Sequence, residues 1–191
     1  MCGNDSESVL SVIHRRRSIR SYKPEQLTEH DLTVVLEAAK VAATARGQQL
    51  WHFTVVQNKK LLETINAGAR ALALASNVPA LVERASAPDF SAFYQAPSVI
   101  IVSVDASAIA PENDATLAIA NIMLAAESLN IGTCWIHSIP RLLQSKENTA
   151  LVKELKIPGN YVAQTAVAIG YKAAEAPARA ARTEGTVTII R

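Results

Sequence analysis

Four consecutive β-branched residues, Val99-Ile100-Ile101-Val102, follow Pro97. Successive side chains of a strand point to opposite faces, so a strand built from this run has no face to give to water. Such strands sit in the middle of a sheet with cover on both sides. The chain supplies that cover as helices. The clearest begins at Asn113 and Asp114 and runs to about Asn130, just before Gly132. Leu117, Ile119, Ile122, Met123, Leu124 and Leu129 surround it, and a helix apolar nearly all round is buried in the core or against another subunit.

The other elements follow from spacing and punctuation. Ser8 to Arg17 reads as a short helix with Val9, Val12 and Ile13 on one face. Thr28-Glu29-His30-Asp31 resembles a capping box with Asp in place of Glu, and the helical spacing after it persists to about Ala43. His52 to Gln57 is β-rich, and Asn58 caps a helix from about Lys59 to Ala75. Ser76 to Tyr94, with Pro79 and Pro88, is less regular. Thr133 to Ser138 is a strand, Lys146 to Lys156 a helix, and Tyr161 to Ile169 a final core strand. From Ala173 the chain is rich in Ala, Pro and Arg, so about residues 173–191 form an extended C-terminal tail. Its end, Thr186 to Ile190, regains β character and needs a partner strand. Hairpin signals are scarce and no internal repeat occurs. The reading is one α+β domain over residues 1–191, a mixed, mostly antiparallel sheet covered by helices.

Composition excludes several classes. With 49% hydrophobic and 19% charged residues, the 191-residue chain is not disordered. It has 33 alanines against nine aromatics, so backbones approach closely, in packed helices or a broad subunit contact. A net charge of +2 provides no global field for nucleic acid. No apolar stretch reaches the length of a membrane span, and the two cysteines, Cys2 and Cys134, form no framework, which points to a reducing, cytoplasmic setting. Cys2-Gly3-Asn4 also leaves open a lipoprotein start trimmed of its signal. Seven glycines never form a GxGxxG or Walker loop. The four histidines lie far apart without carboxylates at zinc spacing, so no metal site is expected. No GxSxG elbow occurs, and Cys134 has no sequence-local activating partner. An enzyme built this way leaves its reaction to a bound cofactor.

The remaining chemical feature is basic. His14 to Lys23 carries Arg15, Arg16, Arg17, Arg20 and Lys23 with no acid among them. Guanidinium forks beside the Ser18 hydroxyl suit a phosphate dianion. A solvated basic helix end accounts for the same charges.

The motifs decide between these. Arg16-Arg17-Ser18-Ile19-Arg20-Ser21-Tyr22 resembles the opening motif of the FMN-dependent nitroreductase family. The segment from Ala42 to Phe53 is similar to the family's Ala-Pro-Ser-x-x-Asn-x-Gln-Pro-Trp-x-Phe. Asp114 to Trp135, Ile157-Pro158-Gly159 and Ala168-Ile169-Gly170-Tyr171 resemble later motifs in the right order, so the likeness runs from about Val9 to Arg182.

The resemblance implies an intertwined homodimer with two FMN molecules in the interface. Arg16, Arg17 and Ser18 would hold the phosphate end and Arg20 the pyrimidine edge of the flavin. A C-terminal basic residue would complete the phosphate site, Arg182 first and Arg179 second. Thr44 and Ala45 would approach from the partner subunit, with Gln49 in the same loop. His137 and Ser138 would offer backbone N–H groups near the flavin ring. No side chain is expected to be catalytic. Phe90, Phe93 and Tyr94 would wall the substrate site, with ordinary core packing as the other reading of the trio. Asn66 and Arg70 are further candidates on the helix after the first strand. The sequence departs from the family at Ala43, Gly47 and Leu50, and Gly47 removes an expected side-chain hydrogen bond.

The implied activity passes hydride or electrons from NAD(P)H, bound transiently, to nitroaromatic, quinone or similar planar acceptors. A flavin-binding store or sensor with little turnover is the alternative. Reductive dehalogenation is disfavoured, because Ser76 to Tyr94 shows no evident zwitterion clamp.

Overall fold

The computed structural model describes residues 8–191; Cys2 and the lipoprotein reading attached to it lie outside them. The sheet has four strands, β1 (Trp51–Val56), β2 (Ser98–Asp105), β3 (Ile131–Ile136) and β4 (Tyr161–Tyr171). Their order is β1-β2-β4-β3 and every neighbouring pair is antiparallel. The β-branched run therefore lies in an interior strand, as its two apolar faces require. Val99 and Ile101 face one core cluster with Ile65, Phe93 and Ile139. Ile100, Val102 and Val104 face a second cluster with Val35, Ile119 and Ile122.

Helices α2 (Glu29–Lys40) and α5 (Pro111–Ser128) cover the second face, and α3 (Lys59–Leu74) and α6 (Ser138–Leu143) the first. Thr28 caps α2, its Oγ1 accepting from the Asp31 N–H at 3.1 Å, and Asn58 caps α3 through the Leu61 N–H. Helix α2 stops at Lys40, short of the expected Ala43, because Val41 leaves the helical region. Helix α5 starts two residues earlier than expected because Pro111 supplies a preset first turn. It buries Ala115, Ala118, Ile119, Ile122 and Ala126 but leaves Leu117 46% exposed, so one side of it is open.

Three short elements differ from the sequence reading. Ser76 to Tyr94 contains a helix, α4 (Pro79–Ser86), opened by Pro79 at its first turn. The strand expected to reach Ser138 ends at Ile136, and Ser138 begins α6. The helix expected from Lys146 to Lys156 is a 3-10 turn, Lys146–Asn148, followed by α7 (Thr149–Glu154). Residues after Ala173 have no regular structure, and Thr186 to Ile190 finds no partner strand among the described residues. Val187, Ile189 and Ile190 are exposed there. No helix among the described residues is long and apolar enough to cross a membrane.

The N-terminal segment is tied down by charge. Helix α1 (Val9–Arg15) ends against the C-terminal end of α5, where Glu127 is almost fully buried. Arg15 Nε donates to Glu127 Oε1 at 2.8 Å and Lys172 Nζ to Oε2 at 3.0 Å. The chain after α1 then runs beside the sheet edge: Ser18 bridges Thr133 in parallel, and the Ile19 N–H donates to the Thr133 carbonyl at 2.9 Å. That bridge is the mixed element of an otherwise antiparallel sheet. Gly132 permits it, since a Cβ there would stand 2.8 Å from Ile19 Cγ2.

Removing the charge from Glu127 leaves two cations facing a neutral buried amide. Glu127→Gln is expected to cost about 3 kcal/mol in urea unfolding; a loss below about 1 kcal/mol, the range of an exposed pair, would refute the clamp. A second test uses acid. The Tyr171 hydroxyl donates to Asp31 Oδ2 at 2.6 Å, and with Thr28 holds the Asp31 carboxyl below its usual range. A depressed carboxyl contributes stability that is complete above its unfolded value, about pH 4, and is lost as pH falls through the folded value. Tyr171→Phe should flatten the drop in urea midpoint between pH 6 and pH 3; an unchanged drop would refute the assignment.

Candidate functional site

Arg16 to Arg20 form the site's first half. Arg16 leaves α1 in an extended conformation. Arg17 turns back, its Nη1 donating to the carbonyls of His14 at 2.8 Å, Arg15 at 3.1 Å and Arg16 at 2.8 Å. It thereby satisfies the orphan acceptors at the helix end, so the helix-end reading of the basic run holds for this one arginine. Arg179 reaches the same place from the tail, donating to the His14 carbonyl and lying 3.4 Å from His14 Nδ1. Arg182 is exposed. Arg16 and Arg20 both act on the buried Cys134 thiol: burial pushes it above its ordinary range while their charges pull it down. Arg20 is held still more firmly protonated through Tyr94. Among the described residues no carboxylate forms an ion pair with Arg16, Arg17, Arg20 or Arg179. Arginines that flank Ser18 in the chain, joined at the helix end by Arg179 and without an internal carboxylate partner, suit an anionic oxygen cluster.

The Thr44–Gln49 loop is the second half, and it lies elsewhere. Asp114 Oδ1 accepts the Ala45 N–H at 2.9 Å, and Thr44 Oγ1 accepts the Gln49 N–H at 3.2 Å. Asp114 is buried and its Oδ2 has no partner. Arg46, Gly47 and Gln49 all have left-handed φ, at 52°, 65° and 51°. A Cβ on Gly47 would meet nothing within 4 Å. The loop thus sits at the start of α5, while the arginines are anchored near Glu127 at its end. About 13 residues of helix separate them, roughly 20 Å. Within one subunit Thr44, Ala45 and Gln49 do not meet Arg16, Ser18 or Arg20.

His137 and Ser138 lie where β3 passes into α6, beyond Thr133 on the strand that Ser18 bridges. His137 is exposed, and the Ser138 N–H, in the first turn of α6, has no intrahelical acceptor.

The aromatic trio divides. Phe93 is 5% exposed and packs in the core with Ile65 and Val99, its remaining surface lining the same cavity as Phe90. Phe90 is half-buried and lines a cavity of about 510 Å³. Tyr94 lines a neighbouring cavity of about 500 Å³ with Arg20. Asn66 and Arg70 serve the backbone. Asn66 Oδ1 accepts the Ala92 N–H at 2.8 Å, and Arg70 Nε donates to the Ala85 carbonyl at 2.8 Å. Together they pin the end of α4 and the chain after it onto α3, so their polar groups are already engaged.

Sequence reasoning missed Arg84 and Asp89, which line the Tyr94 cavity, because it missed α4. Pro79 at a helix start and Pro88 beyond its end were the available signal. It also missed the loop-holding role of Asp114, whose partner lies 69 residues away.

Comparison with known proteins bears on the family and the fold. The model of the nitroreductase family matches residues 13–171. A relative from Archaeoglobus fulgidus, provisionally named an NADH dehydrogenase/NAD(P)H nitroreductase, is 32% identical over 165 residues, 86% of either chain. The crystal structure of a nitroreductase with bound FMN from Bacteroides fragilis superposes with a TM-score of 0.88 at 34% identity, over 97% of this chain and 100% of that one. An FMN-bound nitroreductase from Desulfitobacterium hafniense gives 0.86 at 25% identity, over 96% and 98%. With its motifs in order, its fold matched over nearly its whole length and its family model spanning the sheet and both helical layers, this chain belongs to the nitroreductase family.

Proposed function

We propose that the protein is a homodimeric FMN-dependent oxidoreductase that carries reducing equivalents from NAD(P)H to small planar acceptors such as nitroaromatics and quinones. The observation that carries this reading is the uncompensated arginine group beside Ser18 in a chain of this family. Its donor set fits the phosphate of FMN: forks from Arg16 and Arg179, the Ser18 hydroxyl and a nearby positive field from Arg17. FMN supplies the hydride- and electron-accepting centre that no side chain here provides.

The chain's own residues bind, orient and exclude. Arg16 and Ser18 take the phosphate, with Arg179 favoured over Arg182 because the tail brings it to His14. Arg20, a guanidinium and so cationic at every working pH, offers a fixed positive charge toward the pyrimidine edge. Backbone N–H groups at His137 and Ser138 serve the ring, and protons come from solvent without a side-chain acid. Burial pushes the Cys134 thiol above its ordinary range, which keeps it protonated and out of the chemistry.

The split of the site along α5 supports the homodimer. The second copy would supply the Thr44–Gln49 loop, and the exposed Val187, Ile189 and Ile190 give the tail an apolar edge for that contact.

Arg16→Ala combined with Ser18→Ala should release FMN on gel filtration and weaken its binding at least tenfold, the worth of one charge-assisted hydrogen bond. Wild-type retention would sink the phosphate assignment. Anaerobic NADH or NADPH should bleach the flavin; a flavin that binds and never bleaches favours the store or sensor. Gly47→Asn probes the departure in the loop. Asn tolerates the left-handed conformation, has room for its side chain, and should tighten FMN retention; weaker retention would show that the open backbone itself is required.

A further inference from the structure

Helix α4 brings a second cation to Tyr94. The guanidinium carbon of Arg84 lies 5.5 Å from the ring centroid, the same separation as that of Arg20. The two cations are thus within twice that distance of each other, on the rim of one cavity of about 500 Å³ that also carries Asp89, Ser91 and Gln95. Among the described residues neither arginine forms an ion pair, and Asp89 forms none either. A favourable place at the end of α4 explains a cation at position 84, but not its convergence with Arg20 on one ring.

The ring itself is held at a cost. Tyr94 and Gln95 adopt left-handed φ of 58° and 56°, unusual for two consecutive residues with side chains. Buried Ser91 maintains the turn, its Oγ accepting the Gln95 N–H at 2.8 Å. Strain kept by surrounding structure marks places where a side chain must be aimed. The neighbouring cavity of about 510 Å³ shares Pro24, Ser91 and Gln95 with this one and continues to Phe90, Leu62 and Pro97. Together they form a groove with Arg20 and Arg84 at one end and, at the other, the apolar surfaces of Phe90, Leu62 and Pro97 bordered by the opposite charges of Lys59 and Glu63.

We propose that this groove recognises the acceptor and selects aromatic monocarboxylates, with the carboxylate at Arg84, in the added field of Arg20, and the ring directed toward Phe90. Asp89 leaves the cavity rim with one net positive charge, which suits a monoanion better than a dianion. As a statement about acceptors this rests on the oxidoreductase reading; as a binding site it does not.

The test compares 4-nitrobenzoate with its neutral analogue 4-nitrobenzamide by titration calorimetry on the purified protein, and then as acceptors in turnover. The carboxylate should bind at least tenfold more tightly, as a charge-assisted hydrogen bond implies. Arg84→Gln should abolish the preference and lower the ratio of kcat/KM for the two acceptors by a similar factor. Arg84→Lys should restore it in part, and Asp89→Asn should strengthen carboxylate binding by removing a like charge. Equal affinity for the two compounds, or a preference that survives Arg84→Gln, overturns the proposal. If the carboxylate binds through Arg84 but no flavin is retained, the site stands and the oxidoreductase reading falls. If both acceptors turn over equally, the oxidoreductase stands and this subsite falls.

Discussion

The buried carboxylate of Glu127 organises the molecule around itself. It accepts from Arg15 at the end of α1 and from Lys172 just past β4, positions 112 and 45 residues away along the chain. Desolvating a carboxylate costs several kcal/mol, and two cations with direct hydrogen bonds are what make the burial tolerable. Such a clamp has little freedom of register. It fixes where α1 stops, so the arginines that follow must emerge beside β3, and Gly132 then leaves room for Ile19 against the sheet edge. The placement of the arginine-bearing segment is therefore a product of an ion pair at the ends of α1 and β4.

One feature of the same kind acts at the other end of α5. Asp114 is buried and holds the Ala45 N–H, which sets the loop of left-handed residues from Arg46 to Gln49. A single helix thus carries both halves of the site, each fastened by a carboxylate near one terminus. The helix is long enough to keep them apart in one subunit. On the proposed homodimeric reading their union takes a second copy related by symmetry, and a twofold axis would make the two resulting sites equivalent.

Much of this was legible in the sequence, for identifiable reasons. The Val99–Val102 run could lie only in an interior strand, and Thr28 and Asn58 announced their helices through side-chain chemistry local to each cap. The arginine group was legible because its members are contiguous. What stayed hidden depends on tertiary placement. Helices α4 and α6 are too short for a periodic pattern to stand out. Phe93 and Tyr94 are adjacent, yet one enters the core beneath the Phe90 cavity and the other faces Arg20 in the neighbouring one, and Tyr94 has a left-handed φ at that divergence. Asn66 and Arg70 have the chemistry of ligand-binding residues, and only the fold shows their hydrogen bonds already given to the backbone of residues 85–92.

The tail after Ala173 has a consequence for the life of the protein in a cell. Its described contact with the body of the subunit near its middle is Arg179 at His14, and beyond it Val187, Ile189 and Ile190 stand open to water. An extended, apolar, weakly tethered arm is a preferred substrate for proteases and a ready target for chaperones. A newly made chain that carries such an arm uncovered offers it to both. If the cover is a second copy, survival rises with the concentration of the protein itself, and the standing amount is set by assembly as much as by synthesis.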